Sequence, residues 1–255
     1  MRYILLLFLP LLFLLPVDSS AQIDSFRDTS LFENSILYRK EYRGNVFIHS
    51  TGFGASFRKG MNENAFKGRF WETSIFYTKE LKEIKTTNPW YANSKSYVYG
   101  KLNDVMVARI GFGGERRVSR KPFQGGVEAN FNYGGGFSVA VAKPVYLYVI
   151  EYTGSALQEY QLAIRKYDPN QHFYENIYGR APFSDGLNEI KAYPGLYARA
   201  GMDFEFGNYD PDIRSLEIGL AFDLFPVAVP TMAFNDPRNL FAHFYIAFSL
   251  GKRYN

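Results

Sequence analysis

Between Leu196 and Leu250 the chain passes three times through a period-two alternation of apolar and polar residues. In the stretch Leu216 to Leu224, Leu216, Ile218, Leu220, Phe222 and Leu224 alternate with Glu217, Gly219, Ala221 and Asp223. The stretch before it sets Leu196, Ala198, Ala200, Met202, Phe204 and Phe206 against Tyr197, Arg199, Gly201, Asp203 and Glu205. The last sets Ala242, Phe244, Ile246, Phe248 and Leu250 against His243, Tyr245, Ala247, Ser249 and Gly251. Successive strand side chains point to opposite faces, so each stretch is a strand with one apolar and one polar face. The polar face carries full charges in mid-strand, and this restricts what the two faces can meet. A soluble sandwich buries apolar faces against each other, whereas a membrane barrel turns them to lipid and keeps polar side chains inside.

The start of the chain bears on that choice. Met1-Arg2 is basic, Leu5 to Leu15 is an apolar run broken by Pro10, and Ser19-Ser20-Ala21 supplies small residues before Gln22. This pattern predicts a cleaved secretory signal peptide over residues 1–21, too short for a comfortable helical span. With Cys 0, neither disulfides nor a cysteine-linked lipid anchor is available. Arg2 and Asp18 would leave together, so the formal charge of +4 persists; it is too mild to argue for nucleic acid. Tyr 20 and Phe 24 against Trp 2, with Gly 22, fit a β-rich chain.

Along the chain, residues 22–43 read as an N-terminal arm or first strand, and residues 44–255 as the barrel. Phe47 to Phe57 reads as a strand, with Phe47, Phe53, Ala55 and Phe57 sharing a side with His49 and Thr51, and Arg58 to Asn64 as a turn. Phe70 to Lys79 follows as a strand, then a long loop, 81–103, then a strand from Asp104 to Gly113 with Arg109 on its polar face. After the basic connection Glu115 to Gly126, a strand begins at Val127 and passes through Gly134-Gly135-Gly136; Val145 to Tyr152 is expected to extend it. The largest connection, 153–194, could hold a short helix over Ser155 to Lys166. Its length points to function or an external surface.

Most of these segments are about 9–11 residues long, enough to span a bilayer at the usual tilt. Aromatics such as Trp71, Tyr77, Phe206 and Phe244 lie near segment ends, where girdles would sit. Counting back from a final strand that ends on the periplasmic side places 227–239, 153–194 and 81–103 outside and the shorter connections inside. The expected fold is therefore all-β, a transmembrane antiparallel up-and-down barrel of eight strands with long extracellular loops. Seven strands are visible, and the eighth is expected within Leu31 to Tyr42. A hairpin hidden in the large loop would raise the number to ten.

The leader, the Tyr/Phe-rich alternating strands and the ending Phe244-Tyr245-Ile246-Ala247-Phe248-Ser249-Leu250-Gly251-Lys252-Arg253-Tyr254 resemble the small outer-membrane β-barrel proteins of Bacteroidota, which include PorT-like barrels associated with type IX secretion. The resemblance implies an outer-membrane location, a role in an envelope assembly and no catalytic residues.

Two constellations stand out. Glu72, Arg109, Glu128, Arg199, Asp203, Glu205, Glu217 and Asp223 fall on the lumenal parity, as a cation-preferring pore or as a salt-bridged plug that fixes register. Arg116, Arg117, Arg120 and Lys121 form a basic turn suited to a partner's acidic face or to lipid phosphate. Asp168, His172 and Glu175 are close in sequence, but no cysteine or neighbouring second histidine supports a metal site. For a rim lipid hydrolase, His243 and Ser249 are the nearest pair, yet six residues of strand hold them roughly 20 Å apart. The reading is a non-enzymatic outer-membrane barrel without cofactor or metal. Its expected contacts are outer-membrane lipid, lipopolysaccharide and protein partners in a secretion or biogenesis complex, and not nucleic acid. A narrow channel or small-solute transporter is the alternative.

Overall fold

The computed structural model describes residues 38–91, 93–119, 126–152, 160–206 and 211–255. The leader expected over 1–21 lies outside them. The strands are β1 (Lys40–His49), β2 (Gly52–Asn64), β3 (Lys67–Thr78), β4 (Lys85–Thr86), β5 (Tyr97–Val98), β6 (Asn103–Ser119), β7 (Glu128–Pro144), β8 (Tyr146–Tyr152), β9 (Tyr160–Lys166), β10 (Ile177–Arg180), β11 (Lys191–Glu205), β12 (Asp212–Val229) and β13 (Arg238–Tyr254). Eight of them close into a barrel in the order β1-β13-β12-β11-β7-β6-β3-β2. Each strand pairs antiparallel with its neighbours, and β13 closes on β1 from Lys40↔Tyr254 to His49↔Tyr245. Closure leaves this sheet without an open edge.

The wall is inside out relative to a soluble domain. Ile48, Phe112 and Phe137 face outward at 72%, 77% and 69% exposure, while Arg43, Asp203 and Glu205 face inward at 1% or less. Outward residues of β13 are apolar from Leu240 to Leu250, about 26 Å along the axis at ~3.4 Å per residue and ~40° tilt, which matches a membrane-spanning band.

Two ends follow from the strand order. Both termini of the barrel, the 65–66 turn and the strand ends at Ser119, Glu128, Glu205 and Asp212 lie at one end, the terminal end. The connections 50–51, 79–102, 145–190 and 230–237 lie at the other, the loop end. The two longest connections, 79–102 and 145–190, thus share the loop end with the two-residue turn 50–51.

Several expected boundaries move. The segment Phe47 to Phe57 is a hairpin: His49 pairs with Gly52 across a two-residue turn, Ser50-Thr51. Parity flips there, so Phe47 and His49 line the lumen while Phe53 and Phe57 face outward. A Cβ on Gly52 would lie 2.0 Å from the Tyr77 carbonyl oxygen, so this turn needs glycine. The Thr51 hydroxyl braces it against the Thr78 hydroxyl at 2.9 Å. Arg58 to Asn64 is consequently strand, not turn, and the first strand starts at Lys40, inside the expected stretch Leu31 to Tyr42, and runs past it to His49. Glu115 to Ser119 is likewise strand, which shortens the connection expected over Glu115 to Gly126.

In the large loop, Tyr160 to Lys166 is a strand rather than helix, and Tyr146 to Tyr152 does not extend the barrel. With β10 they form a separate sheet ordered β10-β8-β9. The loop does hide a hairpin, but it adds no strand to the barrel.

Candidate functional site

The eight barrel strands, from 10 to 18 residues long, bring many charged side chains into one narrow lumen, where they stack in layers. Nearest the terminal end, Arg253 holds Glu205, with one contact at 3.0 Å, and lies 3.5 Å from Glu41. Beside it Arg117 donates to Glu128 at 2.8 Å and to the Ala65 carbonyl at 2.7 Å. One layer up, the Arg43 guanidinium meets three carboxylates: Glu41 at 3.0 Å, Asp203 at 2.8 Å and Glu115 at 2.8 Å. At mid-height Arg58 donates to Glu72 at 2.8 Å and Glu217 at 3.0 Å. Arg199 bonds the same two acids, and the Tyr245 hydroxyl donates to Glu217 at 2.5 Å. Toward the loop end Arg109 forms a bidentate pair with Asp223 and lies 4.2 Å over the Phe76 ring.

Five of these pairs run across the lumen. Arg43 on β1 reaches Asp203 on β11, Arg58 on β2 reaches Glu217 on β12, and Arg109 on β6 reaches Asp223 on β12. Buried charges persist only when paired and hydrogen-bonded, and guanidinium–carboxylate forks satisfy both demands. The glycine run makes the space: Gly134 and Gly136 face Gly113 and Gly111 across the β6–β7 ladder. A Cβ on Gly111 would come within 2.6 Å of the Tyr197 hydroxyl, so the bare backbone there admits that ring.

Above the charges the lumen turns apolar. Phe76, Val105, Val107, Ala140, Ala142, Phe225 and Val229 pack together at the loop end with Phe47, Tyr193 and Phe241 against them. Between charge and plug remains a cavity of about 20 Å³ bordered by Asn45, His49, Arg58, Arg109 and His243, room for roughly one water.

All eight lumenal residues expected from parity point inward; Arg109 pairs with Asp223 and Glu128 with Arg117, and the other five are joined through residues the sequence reading left aside, Arg43, Arg58, Arg253, Glu41 and Glu115. The apparent acid excess reflected those missing arginines. A signal for Arg43 was present, since Glu41, Arg43 and Asn45 alternate with Tyr42, Gly44 and Val46. Arg116 and Arg117 do not share a turn: both lie on β6, Arg116 exposed and Arg117 turned to Glu128. Arg120 and Lys121 fall outside the described residues.

The side chains do not form a hydrolytic pair at His243 and Ser249. His243 and Ser249 are both buried on β13, six residues apart. His243 does contact Thr51 Oγ1 at 3.1 Å and lies 3.6 Å from Asp223. That hydroxyl, however, also meets His49 and Thr78, and Asp223 is already forked to Arg109. The group is a brace under the hairpin turn. In the large loop, His172 Nδ1 accepts the Asp168 backbone N–H at 2.9 Å, and burial depresses its pKa, keeping it a neutral acceptor. Glu175 is exposed, and no metal-binding cluster occurs among the described residues.

The loop end carries a second construction, a cap with its own core of Tyr97, Val145, Leu147, Val149, Tyr167 and Ile177. Burial pushes the Tyr97 and Tyr167 phenols up to about 12. Asn88, 1% exposed, clamps two loops by donating to the carbonyls of Glu175 at 3.1 Å and Ile177 at 2.8 Å. Lys101 is held by Glu83 at 2.7 Å and Asp104 at 3.0 Å; burial opposes its charge, but these partners outweigh it and raise its pKa. Asn103 and Thr231 tie in the last connection through Pro230 and Glu80. On the cap's surface Tyr91 meets Tyr160 and Tyr178 at 5.4 and 6.1 Å, and Trp90, Tyr152, Leu162 and Ile164 are exposed nearby. In the β10-β8-β9 sheet, β9 pairs with β8 alone.

No protein-family model and no curated protein matches the sequence. Among solved structures, Neisserial surface protein A is similar at 7% identity and TM-score 0.40, over 85% of this chain and 97% of that one. The N-terminal β-barrel domain of Pseudomonas aeruginosa OprF gives 4% and 0.37, over 84% and 99%. Ail, the attachment invasion locus protein of Yersinia pestis, gives 7% and 0.37, over 86% and 100%. The barrel assignment here rests on strand order and the inside-out wall.

Proposed function

We propose that this chain is a non-enzymatic outer-membrane barrel that presents its cap to a protein partner in an envelope assembly, with the loop end outside the cell. Secretion or outer-membrane biogenesis machinery of the kind served by small Bacteroidota barrels, PorT-like ones included, is the setting the sequence resemblance favours. One observation carries the reading: the lumen is filled by cross-strut ion pairs and an apolar plug, leaving about 20 Å³. A filled eight-stranded barrel offers no path for solute, so it serves as an anchor and its distinctive surface is what it displays. That surface is the cap, built from the three longer loop-end connections and rich in exposed tyrosine and other apolar side chains. Tyrosine and tryptophan supply large, amphipathic contact area and recur at interface hot spots.

Affinity purification of the tagged chain from native membranes tests the proposal. The expected result is a co-purifying envelope protein, retained by the parent and depleted several-fold by Tyr91→Ala/Tyr160→Ala. A chain that elutes alone under mild detergent overturns it.

A further inference from the structure

At the terminal end the exposed cations of the outer wall cluster on β1, β2 and β3, with Lys252 on β13 and Arg214 on β12 farther round. Register places Lys40 opposite Met61, Lys59 opposite Trp71, Met61 opposite Arg69, and Lys67 opposite Arg116. Lys59 is therefore diagonal to both Lys40 and Arg69, about 7–8 Å away across adjacent strands. All three are exposed. On the far wall the same rim carries Ala129, Phe131 and Tyr133 on β7 and Met202 and Phe204 on β11. A uniform girdle would not show this asymmetry.

Between these cations lies an open cleft of about 420 Å³ against Met61, Trp71 and Phe112. The local neutralisation is partial. Arg69 meets Glu63 at 2.5 Å, and Lys40 lies 5.9 Å from the Tyr254 ring centroid. Lys59 has no carboxylate partner among the described residues. Directly below are the exposed Lys67 and Arg116, and Lys252 stands beside Tyr42 on β13.

We infer that this wall is a binding site for an anionic phospholipid of the leaflet at the terminal end. Lys40, Lys59 and Arg69 hold the phosphate, and an acyl chain lies in the cleft along Met61, Trp71 and Phe112. Lysine and arginine stems pack on apolar surface while their charged heads stay at the interface, at the height where lipid phosphates lie. The apolar floor selects a lipid over a soluble anion, because only an amphiphile satisfies both parts of the site. This inference is independent of the cap, and its failure would leave the partner proposal untouched.

Trp71 makes the test direct. The sequence has Trp 2, the other being Trp90 in the cap; Trp90→Phe leaves Trp71 as the sole tryptophan, excited selectively at the red edge of the absorption band where tyrosine does not absorb. The full chain with this change is folded into phosphatidylcholine vesicles containing a graded fraction of dibrominated phosphatidylglycerol or dibrominated phosphatidylcholine. Bromine quenches on contact, so enrichment at the site lowers the mole fraction needed for half quenching. The expected value is about three- to tenfold lower for the anionic lipid, converging to one curve in Lys40→Gln/Lys59→Gln/Arg69→Gln. Replacing both lysines by arginine should keep the preference. Heat-modifiable gel mobility reports that each variant is folded, and the parent comparison decides the matter even where a variant is not. Coincident curves in the parent overturn the site, and a preference that survives the triple change overturns its assignment to these residues.

Discussion

The lumen and the cap are both closed, by opposite means. The lumen is held by guanidinium–carboxylate struts between strands far apart in sequence, such as Arg43 with Asp203. The cap is held by packed tyrosines and by backbone carbonyls gathered on Asn88. The contrast follows from what each excludes. Apolar residues turned to lipid leave the inward side of the strands to polar groups, which over the terminal and middle layers are paired as ions, with the apolar plug closing only the loop end. The cap stands beyond the apolar band, and hydrophobic burial works there as in any soluble domain. One region fixes register; the other fixes a surface.

The sharpest way to break this contrast is Arg43→Met. It leaves Glu41, Glu115 and Asp203 facing one another without their shared cation, a loss of about 3–5 kcal/mol. Urea titration of the vesicle-folded protein reads it, and a loss below about 1 kcal/mol would mean the struts are ornamental. Arg109→Met should cost about 3 kcal/mol by the same logic, yet Arg109→Met/Asp223→Leu should recover most of that, since no orphan charge remains. Failure of the double variant to recover would assign the pair a role beyond neutralisation.

Asn88→Ala belongs to the other region. Removing a buried donor that serves several carbonyls should cost about 1–3 kcal/mol, confined to the cap. Limited proteolysis from the loop end should then cleave between residues 79 and 102 while the barrel keeps its heat-modifiable mobility. Loss of both together would show that cap and barrel form one cooperative unit. Smallest of all, Tyr160→Ala should change stability by less than about 0.5 kcal/mol while weakening partner capture. A stability loss as large as that of Asn88→Ala would make Tyr160 a core residue rather than a displayed one.

Legibility in the sequence tracked the physics of each region. The wall was readable from Leu216 to Leu224 because lipid demands apolar residues at every second position, and a slip of one residue inverts the face. The reading failed at Ser50-Thr51, where a two-residue turn flips parity without the usual Asn-Gly signature; Arg58 was lost to a supposed turn as a result. It also missed the plug, since Phe76 and Phe225 lie on the parity that is charged lower down. In the cap, Tyr160 to Lys166 looked helical because its apolar residues fit either period over so short a run, and pairing with β8 decided for strand.

The central claim is that the barrel is a closed anchor. Planar-bilayer recording of the purified full chain tests it most directly. The account predicts a silent bilayer at physiological salt over the usual voltage range, with insertion verified by heat-modifiable mobility of the recovered protein. Reproducible ion-selective steps from the unaltered chain would contradict it and make the lumenal arginines and acids a conduction path.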